Sequence, residues 1–170
     1  MRLFRLPLTL CLAVVLGGCA GYRLGPTGGQ TAGEKSVQIV PFANRTPEAR
    51  LADSVTAALR KEVQRDGTFR LVTHDAGDIV VSGAVVRYDR RAISLVPNDV
   101  ATAQDYNVSL TAQVTARERC SDKVIFDQAV TAHTLVIVGQ DLPSSERQAL
   151  PLLATDLARR VTALLADGSW

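Results

Sequence analysis

Residues 105–118, DYNVSLTAQVTARE, alternate strictly between apolar and polar side chains over six uninterrupted repeats. The apolar set is Tyr106, Val108, Leu110, Ala112, Val114 and Ala116. Successive side chains of a β-strand point to opposite faces of its sheet. This period of two therefore predicts a long strand with one dry face and one wet face.

The following stretch, VIFDQAVTAHTLVIV at 124–138, predicts a return strand. Its apolar residues of one parity are Val124, Phe126, Val130, Ala132, Val136 and Val138. Matching the dry faces requires even residues to oppose even residues, because a slip of one residue would turn one dry face to water. We predict an antiparallel hairpin with Val114 opposite Val130, Arg117 opposite Asp127, and a three-residue loop at 121–123.

Two segments have the apolar spacing of amphipathic helices. The first carries a stripe at Leu51, Val55, Ala58, Leu59 and Val63. Its predicted start has Thr46 as N-cap and Pro47 at the first helical position, and Gly67 follows its end.

The second amphipathic segment is Ser144–Asp167. Its stripe comprises Leu150, Leu153, Leu157, Val161 and Leu164. Ser144 or Ser145 is the predicted start. Pro151 lies inside and cannot donate its amide, which predicts either a kink or a later helix start.

Three shorter runs are rich in strand-forming residues: 36–42 (SVQIVPF), 69–73 (FRLVT) and 78–88 (DIVVSGAVVRY). The third lacks clean alternation, which predicts a central strand covered on both faces; Gly83 inside it predicts a bulge or a close backbone approach. The elements together predict an α+β fold. We expect a mostly antiparallel sheet of about four strands, including the long C-terminal hairpin, with two amphipathic helices packed on one face.

The first residues have the layout of a lipoprotein signal. Arg2 and Arg5 precede a short apolar run, and Leu16-Gly17-Gly18-Cys19 resembles the bacterial lipobox. We predict a signal peptide at 1–18, a lipidated Cys19 that opens a flexible, glycine-rich linker over 19–35, and a single domain over 36–170. Because Ala20 is not aspartate, the expected location is the outer membrane, with the lipid as the only tether.

Charge and composition argue against nucleic-acid binding and against enzymatic activity. The chain has 19 Lys+Arg and 17 Asp+Glu. Removal of 1–18 takes away two arginines and leaves a formal charge of zero, which gives no electrostatic footprint for nucleic acid. There are only two histidines, His74 and His133, without metal-ligand spacing, and no G-x-S-x-G elbow exists. We therefore expect that the protein is not an enzyme and that it binds no metal and no cofactor.

The order of elements resembles the lipopolysaccharide (LPS) assembly lipoprotein family LptE. A lipobox is followed by Gly-Tyr, then VPFANRTPE at 40–48, a helix, GDIVVSGAVVRYDRRAISL at 77–95, a long hairpin and a final helix. Matched positions are Cys19, Gly21, Tyr22, Phe42, Asn44, Asp78, Gly83 and Tyr106. The piece VPFANRT also looks like the first strand of curli-secretion and peptidoglycan-synthase-activator lipoproteins. Pro151 departs from the LptE pattern.

The resemblance implies a non-enzymatic lipoprotein that partners the LPS translocon β-barrel LptD. Such a protein would sit partly within the barrel lumen, face the periplasm or that lumen, and assist LPS assembly at the cell surface. The alternative is a periplasmic regulatory or secretion-accessory lipoprotein of the curli-secretion or synthase-activator type. Recovery of a barrel rather than a cell-wall synthase separates the two.

Arg87, Arg90 and Arg91 form the densest basic cluster of the otherwise neutral mature chain. Guanidinium groups bind phosphate with two parallel hydrogen bonds, and the lipid A end of LPS carries phosphates. The three arginines are therefore the predicted LPS contact. A contact site should place at least two of them on one exposed surface, whereas the alternative, a solvated strand end, scatters them.

Overall fold

The computed structural model describes residues 32–74, 76–96, 99–137 and 141–167. It contains six strands and two helices in the order β1–β2–α1–β3–β4–β5–β6–α2. The strands are β1 Ser36–Ile39, β2 Ala43–Asn44, β3 Arg70–Val72, β4 Ile79–Val96, β5 Asp99–Glu118 and β6 Val124–Ile137, and the helices are α1 Leu51–Asp66 and α2 Leu142–Ala166.

All six strands belong to one mixed sheet with the path β3-β1-β4-β5-β6, and β2 extends alongside β4. Strand β1 runs parallel to both β3 and β4, whereas β4, β5 and β6 are antiparallel neighbours. The predicted α+β class is confirmed, but the expectation of about four mostly antiparallel strands is wrong. Helix α1 lies between β1 and β3 and returns the chain to the same end of the sheet, so these two strands pair in parallel.

The two helices contact each other, and both pack on the sheet. Helix α1 covers the β1–β4 side and α2 covers β5 and β6. Every apolar residue from Val108 to Ala116 in the β5 alternation is fully buried. The predicted dry face of β5 is thus the face that the helices cover, and the prediction of two-sided cover for β4 is wrong.

The hairpin of β5 and β6 has the predicted parity but a different register. Ala112 lies opposite Val130, and Val114 lies opposite Gln128, two residues away from the predicted pairing. Arg117 pairs with Val124 across a β-bulge rather than with Asp127. The connection is also longer than three residues, because β5 ends at Glu118 and β6 begins at Val124.

Helix α1 starts later than predicted. Thr46 is not its N-cap: the Asn44 carboxamide oxygen accepts hydrogen bonds from the Thr46 amide and hydroxyl at 3.0 and 2.8 Å, which fixes a turn ahead of the helix. The N-cap position is occupied by Arg50 in the left-handed region, at φ 68° and without a side-chain cap. The predicted end at Gly67 is confirmed by its left-handed φ of 75°.

Helix α2 starts at Leu142 and is capped by Asp141, whose carboxylate accepts from the Ser144 amide at 2.6 Å. That bond holds the pKa of Asp141 below its usual value. The helix continues through Pro151. Of the predicted stripe, Leu153, Leu157 and Val161 are buried, but Leu165 rather than Leu164 completes it.

Gly83 is a point of close backbone approach, as the sequence predicts. A Cβ atom there would lie 2.6 Å from Cε1 of Phe42 and 2.5 Å from the Gln113 carbonyl oxygen. The Phe42 ring is 6% exposed and occupies the space that a side chain at residue 83 would need. The amide of Phe42 donates to the Thr56 hydroxyl of α1 at 3.0 Å, which joins this contact to the helix layer.

No helix within residues 32–74, 76–96, 99–137 and 141–167 combines the length and the apolar composition needed to cross a membrane.

Candidate functional site

The sheet side that faces away from the helices is called here the open face. It carries the odd-numbered residues of β5 and β6, which are polar over most of its area: Asn107, Ser109, Thr111, Gln113, Thr115, Asp127, Thr131 and His133. Because no element of the described chain packs on this side, its side chains are available to a partner or a ligand.

A β-bulge at Val86 determines which arginines reach the open face. Val85 pairs with Ala112 and Arg87 pairs with Thr111, so Val86 is the extra residue. Without this insertion Arg87 would oppose Leu110 and point into the core. A bulge adds one residue and thereby changes the face of every side chain beyond it. Arg87, Asp89 and Arg91 therefore lie on the open face.

These three β4 residues begin three rows that cross the sheet. The rows are Arg87–Thr111–Thr131, Asp89–Ser109–His133 and Arg91–Asn107–Leu135. Together they form a depression of about 440 Å³, called here the arginine depression, which is lined by Arg87, Asp89, Arg90, Arg91, Asn107, Ser109 and His133.

Charge in the arginine depression is predominantly positive. The Arg87 Nε lies 3.7 Å from an Asp89 carboxylate oxygen, and both side chains are more than half exposed. Within the described residues, Arg91 has no carboxylate within ion-pair distance, so its charge is not offset. Hydroxyl, amide and imidazole groups of Ser109, Asn107 and His133 lie across the depression. This arrangement suits an anion with several oxygen atoms.

Arg90 also lines the arginine depression, but its guanidinium is directed to the helix side of the sheet. Its residue pairs with Val108 on the covered side of the sheet, and its guanidinium contacts Glu146 of α2 at 3.0 Å. Tyr88 donates to the same carboxylate at 3.4 Å. Burial, followed by the nearby Glu146 charge, raises the pKa of Tyr88 to about 12. Arg90 therefore attaches the first turns of α2 to β4.

The structure thus divides the predicted cluster. Arg87 and Arg91 share one exposed surface, which meets the geometric condition set for a contact site, and the Arg90 guanidinium is directed to the other side of the sheet. This division could not be predicted from the sequence, because the bulge at Val86 lies in a valine-rich run without alternation. From the sequence, His133, Asn107 and Ser109 could be assigned only to the solvent-exposed side of their strands.

Exposed apolar side chains lie next to the arginine depression, towards the end of the sheet where β4 ends and β5 begins. Leu135 and Ile137 of β6 are 54% and 64% exposed, and Ile93 of β4 is 55% exposed. Leu135 lies in the same row as Arg91. A ligand with phosphate groups and hydrocarbon chains would find complementary groups in these two adjoining areas.

The other sequence-predicted positions lie apart from this surface. Cys19 and the segment 1–31 are outside the described residues. Cys120 is a free, exposed cysteine in the β5–β6 connection, and His74 is an exposed residue after β3. In the part of the chain that the structure describes, no three His, Cys, Asp or Glu side chains are grouped as metal ligands.

The fold and site define a class: an α+β domain with two helices on one side of a mixed sheet and a polar, cationic surface on the other. A family model described as LptE, lipopolysaccharide-assembly, matches residues 34–165. The chain therefore belongs to the LptE family of LPS-assembly lipoproteins.

Solved structures support the fold. A protein from Xanthomonas campestris aligns with a TM-score of 0.61 at 9% identity, covering 85% of this chain and 90% of that one. A putative lipoprotein from Caulobacter crescentus gives a TM-score of 0.53 at 9% identity, covering 76% and 87%. The PelC dodecamer from Paraburkholderia phytofirmans gives 0.53 at 16%, covering 82% and 92%. No curated protein sequence matches significantly.

Proposed function

We propose that this protein is an outer-membrane lipoprotein, anchored through Cys19, that partners the barrel LptD and assists assembly of LPS at the cell surface without catalysing a reaction. The observation that carries the proposal is the family match over residues 34–165. The lipobox at 16–19 and the glycine-rich linker after it agree with a domain held at a membrane by lipid.

Recovery of the partner tests this proposal directly. The full-length lipoprotein, expressed in its own bacterium, is purified from outer membranes in a mild detergent, and co-purifying proteins are identified by mass. We expect LptD in stoichiometric amount. Recovery of a cell-wall synthase or of a curli-secretion component instead would favour the regulatory or secretion-accessory alternative.

The anchor has its own test. Cys19→Ala should leave the signal uncleaved or the protein unattached, and should lower LptD recovery, because the tether raises the local concentration near the barrel. Cys120→Ala is the matched control, because it removes the exposed thiol in the β5–β6 connection and leaves the lipobox intact. Normal maturation and membrane partition of Cys19→Ala would contradict lipidation at this residue.

Direct contact with LPS is proposed at Arg87 and Arg91, with Arg90 in a supporting structural role. Two exposed guanidiniums beside Ser109, Asn107 and His133 suit phosphate groups, and the neighbouring apolar side chains suit acyl chains. The sequence alone predicted all three arginines as the contact. The geometry favours Arg87→Ala with Arg91→Ala instead.

This double variant should bind purified LPS about tenfold more weakly, since each charge-assisted hydrogen bond contributes roughly 1.5–3 kcal/mol before solvent screening. Arg117→Ala is the matched control, because Arg117 is a half-exposed arginine far along β5 that pairs with Asp122. Folding and LptD recovery should be unchanged. Equal LPS retention by the parent and the double variant would remove the contact and leave the scaffold role.

A further inference from the structure

Strand β6 forms one long edge of the sheet. It has 14 residues, Val124–Ile137, and pairs with β5 on one side. The opposite edge, β3, has only three residues. An unpaired edge offers its backbone donors and acceptors to another chain, and proteins usually protect such edges with lysine, proline or bulges.

The part of β6 from 128 to 137, QAVTAHTLVI, contains no charged residue and no proline. Its one irregularity lies at the other end of the strand, near Val124. The edge from Gln128 onwards is therefore regular and lacks the lysine, proline or bulge that usually protects an edge, although Asp156 of α2 holds one outward amide, that of His133.

One hydrogen bond shows which backbone groups point outward. The His133 amide donates at 3.4 Å to the carboxylate of Asp156 on α2, and so points away from β5. Backbone groups alternate along an antiparallel strand. The amides of Ala129, Thr131 and Leu135 share the parity of His133 and also point outward.

A groove runs between the first half of this edge and the C-terminal part of α2. It has a volume of about 410 Å³ and is lined by β6 residues 128–131 together with Arg160, Ala163, Leu164 and Asp167. An edge strand beside a helix is a geometry in which proteins bind an extended peptide as an additional strand.

Charge around the groove limits the occupant. Asp167 and Arg160 line it, and Arg160 is offset by its 3.0 Å contact with Asp156. The local excess is negative, so an extended segment with neutral or basic side chains is favoured. Pairing of this edge with the β6 edge of a second copy is the alternative outcome of the test below.

We propose that the β6 edge and its groove bind an extended, neutral or basic segment of the partner protein by strand addition. The inference rests on the proposed function in taking LptD as the source of that segment. Main-chain hydrogen bonds to the outward groups of Ala129, Thr131 and Leu135 provide the attachment, and the segment covers the exposed Leu135 and Ile137 side chains.

Proline at an outward-facing edge position tests this attachment, because it removes a donor that β5 does not use. Ala129→Pro is compared with Ala129→Ser, which keeps the amide at the same position. Both full-length variants are purified from outer membranes in mild detergent beside the parent. We expect about tenfold lower LptD recovery for Ala129→Pro and parental recovery for Ala129→Ser, with thermal unfolding of the purified proteins confirming that both fold.

Hydrogen exchange on the parent protein gives a second measurement that needs no variant. Amides in 128–137 should exchange slowly at every second residue in the free lipoprotein and at nearly every residue in the LptD complex. Residues 106–116 of β5, paired on both sides, serve as the internal control.

The outcomes are distinguishable. If the parent recovers no LptD, the proposed function fails. If the parent recovers LptD while Ala129→Pro recovers it equally and 128–137 gains no protection, strand addition alone is overturned. A homodimer of the parent that Ala129→Pro abolishes would assign the edge to a second copy and would also overturn the proposal.

Discussion

The two faces of the sheet are built from the same strands but differ in burial and in polarity. In β5, Leu110 is fully buried under the helices, whereas its neighbour Thr111 lies on the open face and bonds the Thr131 hydroxyl at 3.0 Å. The covered face holds the fold together through apolar contact. The open face contributes little to stability and is therefore the side on which polar and charged residues can be chosen for binding.

This contrast predicts the largest loss of stability when a side chain on the covered face is truncated. Leu110→Ala should lower the free energy of unfolding by about 2–5 kcal/mol, because it leaves a cavity beneath the helices. Thr111→Ala, one residue away on the open face, should cost less than about 1 kcal/mol. Urea unfolding of the two variants measures both, and equal losses would contradict the division into faces.

A second, smaller loss of stability is expected at Gly83, where the packing on the covered face leaves no room for a side chain. Gly83→Ala places a Cβ against the Phe42 ring and the Gln113 carbonyl, which should cost about 1–3 kcal/mol. Ser82→Ala on the opposite side of the same strand is the control and should unfold nearly as the parent does. A Gly83→Ala melting temperature within one degree of the parent would show that Phe42 can move aside.

How far the sequence could predict these faces depends on the element. The alternation in β5 predicted its dry face, because one side of a strand must be buried continuously along its length. The register of the hairpin was not predictable in the same way, since a shift of two residues keeps dry side chains opposite dry ones. The turn determines it instead: Glu118 donates its amide to the Lys123 carbonyl, and Asp122 adopts φ 52°.

Strand β2 and the bulge at Val86 escaped prediction for a related reason. Two residues are too few to show a period, and a bulge interrupts the very alternation that would reveal it. The candidate site depends on that bulge, because it separates Arg87 and Arg91 from Arg90. The sequence therefore identified the basic cluster and could not show which of its members share a surface.

Two ion pairs beside Tyr88 extend the comparison to charged residues. Arg90–Glu146 measures 3.0 Å with the Glu146 side chain 15% exposed, and Arg87–Asp89 measures 3.7 Å with both side chains more than half exposed. Arg90→Ala should destabilise the protein by at most about 1 kcal/mol, and Arg87→Ala should have almost no effect. Urea unfolding at low and high salt checks this, and a larger loss for Arg87→Ala would reverse the assigned roles.

The smallest effect concerns pH. Asp78 accepts hydrogen bonds from the amide and hydroxyl of Ser36 at 2.8 and 2.7 Å, which lower its pKa. A carboxyl whose folded pKa is lowered contributes stability above its unfolded pKa, near 3.9, and that contribution is lost as the pH falls through the folded pKa.

The stability advantage of the parent over Asp78→Asn should therefore be present at pH 6 and shrink below about pH 4. Thermal unfolding at several pH values measures it, with Asp89→Asn on the open face as the control. An advantage that stays constant down to pH 2 would show that the charge of Asp78 is not involved.

The position of β1 also has a mechanical consequence. It begins at Ser36, one residue after the segment predicted as the linker, and it lies between two parallel neighbours, β3 and β4. A pull on the chain ahead of Ser36 acts along the strand, so the hydrogen bonds to both neighbours share the force at once and do not open one after another. The domain is thus built to resist extraction by its own N-terminus.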